Sequence, residues 1–254
     1  ERPRLADQEP TERDHLGTNA WAGATPERTN EMGFDRGAAV TRSLLGYGVL
    51  VGPFYLAVGL IQAFVRDGFD LMRHPLSVLA NGAGGWVQTA NFVLSGLMVI
   101  AAAVGFNRVL GPKARAVSWF LGAFGVSMLV SSVFPADPMD GFPIGTPEGP
   151  PSSISTTGLL HFVAGTLGFV SLSVSCFFAA RAMSRRNAPS LARISFASGL
   201  GVVLGFFGGF LLPSMSVGTL GIWFAVVVGW TWLAVISLHL YRVAPNPNCA
   251  PQPL

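Results

Sequence analysis

The chain has 254 residues, of which 50% are hydrophobic and only 11% charged, with 16 Lys and Arg against 13 Asp and Glu and a formal net charge of +3. An ordinary soluble domain carries about a quarter charged residues, so this composition excludes one and points to a membrane protein. The basic balance does not point to nucleic acid, because the Lys and Arg are spread over separate loops and form no single stripe.

Residues 1–41 read as a polar tail. Eight of the 13 acids (Glu1, Asp7, Glu9, Glu12, Asp14, Glu27, Glu31 and Asp35) fall before Arg42, mixed with Pro, Gly, Thr and Asn. Such a segment cannot bury enough apolar surface to fold alone and is expected to be flexible, or ordered only on a partner. No basic stretch followed by a short apolar core and a small-residue cleavage site precedes the apolar body, so the first spanning helix is expected to direct insertion. The chain opens on Glu1, not Met, which leaves room for residues upstream.

A hydrocarbon core of about 30 Å takes about 20 apolar residues as a helix. Six stretches meet that length: 43–64, 86–106, 116–134, 157–180, 191–212 and 219–240. The last two lie in an interval, from Arg193 to Arg242, that holds no other charged residue and is broken only at Pro213 and Gly218. Strands are excluded, since an open sheet edge in hydrocarbon leaves backbone groups unsatisfied and a barrel would show short alternating segments. The fold class is all-α, a polytopic six-helix bundle, followed by a short tail over residues 243–254. Cys176 and Cys249 are too far apart in character, one in an apolar run and one in that tail, to suggest a disulfide.

Orientation follows from the short loops. Arg36 and Arg42, then Arg108, Lys113 and Arg115, then Arg181, Arg185, Arg186 and Arg193, and finally Arg242 all fall on one side, which is expected to be cytoplasmic with both termini. The other side carries Arg66 and Arg73 and every acid of the membrane body: Asp67, Asp70, Asp137, Asp140 and Glu148. The chain is therefore expected in the cell (inner) membrane, with Trp86, Trp119 and Trp223 as interfacial anchors and membrane lipids as its surroundings. Ala197, Gly201, Gly205 and Gly209 recur every four residues in the fifth span, and Gly48 with Gly52 repeats the spacing in the first; such a ridge lets another backbone approach closely. It reads first as packing within the bundle and second as a homodimer seam. A protein complex would form through that ridge or through the N-terminal tail.

Ionisable groups gather on the outward side. His161 lies one turn inside the fourth span, and a titratable side chain there is expected to face the bundle interior or a wet cavity. His74 precedes Pro75, which suits the start of a short interfacial helix, "PLSVLA", with Ser77 three residues on and so on a similar side. "FPADP" stops the third span and presents Asp137 at the membrane edge, followed by Asp140 in a loop with six prolines between Pro135 and Pro151. Arg73, His74, Ser77, Asp137, Asp140 and His161 are thus the candidate site residues. Two readings stay open: a hydrogen-bonded knot that pins the loops, or a site in which His74, Asp137 and His161 bind zinc or a similar ion. No ligand pair has the HExxH spacing. A Ser77 nucleophile has no Gly-x-Ser-x-Gly elbow around it. Haem is not expected, because the histidines within spans, His161 and His239, lie near opposite membrane faces.

The "HPLS" box before a Gly-rich turn, "VFPADP" ending the third span and a histidine opening the fourth resemble the bacterial and archaeal six-helix membrane family catalogued as domain of unknown function 998. The resemblance covers roughly Arg42 to Tyr241. It implies six transmembrane helices, places emphasis on His74, Ser77, Asp137 and His161, and implies no activity. The functional expectation is an outward polar pocket that binds or senses a small polar ligand, lipid head group or metal ion. A metal-assisted membrane hydrolase acting on a lipid or envelope substrate is the alternative, and a structural accessory subunit the third. The topology is tested by thiol labelling. Cysteines at Gly145 and Ser216 are expected to react with an impermeant reagent added to intact cells, and one at Asn187 is not.

Overall fold

The computed structural model describes residues 34–151, 153–211 and 215–248. The tail expected over residues 1–41 therefore lies outside the described residues up to 33, as does Cys249. The chain forms six long helices: α1 Arg36–Val65, α2 Gly85–Leu110, α3 Arg115–Val133, α4 Thr156–Ser184, α5 Pro189–Leu211 and α6 Met215–Val243. Two short 3-10 helices, Leu76–Ala80 and Pro112–Ala114, sit in the loops, and no strand occurs among the described residues. All six segments are long and apolar enough to cross a membrane. In hydrocarbon the helix is the element that satisfies every backbone donor and acceptor within itself, which is why apolar runs of this length adopt it.

Most helices outrun the apolar stretches that mark them. α1 starts at Arg36, seven residues before the apolar run, because Asp35 caps it by accepting from the Ala38 amide at 3.0 Å while the Asp35 amide bonds the Pro247 carbonyl at 2.8 Å. Likewise α4 continues past Ala180 to Ser184 and α2 past Phe106 to Leu110. Hydrophobicity records where lipid ends, whereas backbone hydrogen bonding continues until a cap or a breaker intervenes.

Each helix packs on its neighbours in sequence, and α6 returns to α1, so the six form a closed ring with only slight contacts across it. Glycines make the closest approaches. A Cβ on Gly48 would lie 2.2 Å from Ser237 Oγ, and one on Gly52 would lie 2.8 Å from Trp230 Cβ, so α1 and α6 meet nearly backbone to side chain. On α5, a Cβ at Gly205 would lie 2.7 Å from the Gly221 carbonyl oxygen and one at Gly201 would touch Val228 at 3.4 Å. That part of the ridge thus packs on α6 within one chain; the surroundings of Gly209 lie outside the described residues. Trp86 and Trp119 are 73% and 75% exposed, as interfacial anchors should be, whereas Trp223 is half-buried and its indole nitrogen is enclosed.

The ring has two chemically distinct ends. Both described chain ends and the α2–α3 and α4–α5 turns lie at the basic end, and the α1–α2 and α3–α4 loops cover the acidic end. The ring packing can be tested with two glycine substitutions. Gly205→Ala sets a methyl against a fixed carbonyl and should destabilise by about 1–3 kcal/mol. Gly46→Ala, where a Cβ meets nothing within 4 Å, should be neutral or slightly stabilising. Thermal unfolding of the two variants in one mild detergent gives the comparison.

Candidate functional site

At the acidic end the α1–α2 and α3–α4 loops interlock through a dense set of polar contacts. Arg73 grips Asp140 with two bonds, Nε to Oδ2 at 2.8 Å and Nη2 to Oδ1 at 2.6 Å, and also pairs with Glu148. Asp140 Oδ1 accepts a third bond from the Gly149 amide at 3.0 Å, and the two backbones pair again through the Asp140 amide and the Gly149 carbonyl. Asp140 itself sits at φ 51°, in the left-handed region that Asp tolerates better than most residues, and Gly141 follows at φ 87°. The bonds from Arg73, helped by the Gly149 amide and opposed by burial, hold the Asp140 carboxyl down at about 2. In return the Asp140 and Glu148 carboxylates raise the Arg73 guanidinium above its ordinary value.

His74 belongs to this knot. Its ring is fully buried against Phe69 and Phe142. Nδ1 accepts from the Asp70 amide at 2.9 Å, so the ring proton is on Nε2, which donates to the Asp140 carbonyl at 3.0 Å. Phe142 is the hub: Phe69 meets it edge-on and Arg66 lies over its face at 4.8 Å. Arg66 in turn donates to the carbonyls of Leu79 and Asn81, and burial lowers its pKa. Asn81 Nδ2 completes the interlock on the Ala136 carbonyl at 2.9 Å.

A second polar group clasps α3 to α4. Ser155 caps α4, its Oγ accepting from the Gly158 amide at 3.0 Å. Asp137 accepts from both the amide and the hydroxyl of Ser155, and its carboxylate lies over Gly158, where a Cβ would come within 2.0 Å of Oδ2. One turn further along α4, His161 Nδ1 lies 2.8 Å from the Phe134 carbonyl, the C-cap of α3. A carbonyl only accepts, so Nδ1 bears a proton, and in the neutral ring the lone pair is on Nε2. His161 also edges against Phe92 of α2.

Beneath the clasp, the helices line a cavity of about 570 Å³, with the exposed Ile154 and Phe162 at its edge. Ser77, Asp137 and His161 line it near the acidic end, together with Thr219. Deeper, its wall is Tyr55, Phe124, Phe169, Phe206 and Trp230, with Trp223 between, its buried indole N–H without a partner. No Lys or Arg lines this space.

The six candidate residues thus divide. Ser77, Asp137 and His161 share the cavity. Arg73, His74 and Asp140 do not line it and form the knot beside it. The expected convergence of His74 with Asp137 and His161 is not seen, and His74 and Ser77 do not share a side. Pro75 explains this: at φ −69°, ψ 151° it is extended, so the 3-10 helix begins only at Leu76 and His74 stands outside its register. The zinc set His74, Asp137 and His161 is accordingly not assembled, since both ring nitrogens of His74 are spent. Among the described residues no three His, Cys, Asp or Glu side chains are grouped to hold a metal ion.

The sequence reading missed the buried amides behind the cavity wall. Gln62 donates to Gln88 Oε1 at 2.9 Å, Asn91 Nδ2 bridges Gln88 and the Tyr55 carbonyl, and Ser95 donates to Asn91. Gln88, Asn91 and Ser95, at i, i+3 and i+7, were the legible signal: one polar stripe on an apolar helix.

In comparison with known proteins, the family model described as "Protein of unknown function (DUF998)" matches residues 49–239. No curated protein and no solved structure matches the chain.

The knot carries a defined pH dependence. The folded-state value of Asp140 lies near 2, below an unfolded value of about 3.9, so its contribution is present above about pH 4 and is lost as pH falls through about 2. The melting temperature of wild type should therefore exceed that of Asp140→Asn at pH 6, and the gap should close between pH 4 and 2.

Proposed function

We propose that this chain, which belongs to the DUF998 family through residues 49–239, binds a single-chain amphiphile in its central cavity, with the head group at Ser77, Asp137 and His161 and the chain against the aromatic wall. The observation that carries this reading is the lining itself: a carboxylate, an imidazole and hydroxyls at one end of an otherwise apolar space. A few convergent polar groups on an apolar pocket of this size are what orient a ligand. Because no cation lines the cavity, an uncharged or cationic head with O–H or N–H donors suits it better than a phosphate. The knot supports this role from outside by holding the α1–α2 loop, and with it Ser77, over the cavity. We further propose that the acidic end faces outward and the basic end the cytoplasm of the cell membrane, on the one-sided distribution of Lys and Arg.

Hydrolysis of such an amphiphile is the second reading, favoured by Ser77 sharing the cavity with an imidazole whose Nε2 is left as the base. Asp137 would not orient that base, because it is engaged by Ser155 and the Phe134 carbonyl already holds Nδ1. Both readings are tested in phosphatidylcholine nanodiscs with a monoacylglycerol brominated in its chain, which quenches nearby tryptophans. Trp223 and Trp230 should give a saturable component beyond the quenching of lipid-facing Trp86 and Trp119. Gly165→Phe, placed where a Cβ meets nothing within 4 Å, should abolish that component, and His161→Ala should raise its midpoint about tenfold. No saturable quenching in wild type would refute amphiphile binding, and release of fatty acid lost in Ser77→Ala would select the hydrolase.

A further inference from the structure

We infer that the groove along the lipid side of α3, between α2 and α4, is a binding site for an anionic phospholipid at the basic end of the bundle. This groove, of about 940 Å³, is distinct from the central cavity: its walls are side chains that face out of the ring, including Val104, Trp119, Val126, Val163 and Leu167, all exposed. It runs from Arg115 to Val130, 15 residues of helix or about 22 Å at the helical rise, longer than the roughly 15 Å of one leaflet's hydrocarbon. An acyl chain entering from a head group at the Arg115 end would have apolar wall along its whole length.

Three polar side chains line the groove toward that end, and they are donors suited to a phosphate. Arg115, the one charged residue lining the groove, is exposed and makes no ion pair among the described residues. Asn107 of α2 is exposed beside it. Ser118, one turn along α3, is only 8% exposed, and its Oγ is buried with no hydrogen-bond partner although it lines the groove. A buried hydroxyl left unpaired is unfavourable unless something completes it. Charge selects the head group. Lys113 lies two residues before Arg115, no acid lines the groove, and Asp35 is the one acid at this end among the described residues. A zwitterionic head would bring its own cation into that field, whereas a phosphatidylglycerol head brings only the phosphate.

Native mass spectrometry of the full chain in mild detergent, with equimolar dioleoyl phosphatidylglycerol and dioleoyl phosphatidylcholine, tests this. Wild type should retain phosphatidylglycerol in preference. Arg115→Gln should lower the retained ratio about tenfold. Arg181→Gln, an equal change of charge at the same end but off the groove, should leave it unchanged. Gly122→Leu, where an added Cβ has its nearest neighbour at 3.8 Å and the longer side chain fills the groove, should abolish retention. An unchanged ratio in Arg115→Gln, or an equal fall in Arg181→Gln, overturns the site in favour of none or of a diffuse charge effect. Competition by soluble glycerol 3-phosphate at millimolar level would overturn the part assigned to the chains. The central cavity is untouched by these variants, so failure here leaves the amphiphile reading standing.

Discussion

The contact between α1 and α6 decides what kind of object this protein is. Five successive antiparallel pairings would give only a row of helices; the sixth, back to α1, makes a ring with an interior. It depends on Gly48 and Gly52, whose missing side chains admit Ser237 and Trp230. At the basic end it is fastened by Arg42, which donates to the Ala244 carbonyl at 3.1 Å and lies over the Tyr241 ring, and by the Asp35 amide on Pro247. Lipid supplies no hydrophobic drive for helices to associate, so close backbone approach and interhelical hydrogen bonds must do it. The buried amides of Gln62, Gln88 and Asn91 serve the α1–α2 pairing in the same way.

A ring of six helices does not fill its own centre, and the aromatic residues that converge there leave room. What keeps that room from being an open funnel is the loop architecture at the acidic end. Arg73, Asp140 and Glu148 join two loops that are distant in sequence, and His74 is spent on the same junction. The clasp of Asp137 on Ser155 and of His161 on Phe134 fixes the neighbouring helix ends. Knot and site, two competing explanations for one set of residues, therefore divide the set between them: Arg73, His74 and Asp140 tie the two loops together, while Asp137 and His161 close α3 on α4 and line the cavity with Ser77.

The same division of charge gives the two cavities opposite preferences. The interior space carries a carboxylate and no Lys or Arg at its polar end, and the external groove carries Arg115 and no carboxylate. They approach each other at Ser127, which lines both and whose hydroxyl is turned back on the Phe124 carbonyl. Gly168 of α4 lies against that serine, a Cβ there being 2.1 Å from its Oγ, so the wall between the two spaces is one tight glycine contact thick.

The sequence by itself determined the fold class, the number of helices and the segregation of acids from bases, because apolar length and charge are local properties that the bilayer reads directly. It also placed Asp137 just past the end of the third span and His161 one turn inside the fourth, because connectivity sets both beside the same membrane face. The apolar runs stop short of the helix ends at Arg36 and Ser184, because polar residues extend a helix without any apolar signal. Tertiary structure alone decided the rest. Whether His74 turned to the cavity or to Asp140 rested on the extended backbone at Pro75, and the partner of Arg73 lay 67 residues away. The interior cavity and the groove on α3 exist only because of how far apart neighbouring helices stand, a distance set by which glycine faces which side chain across the ring.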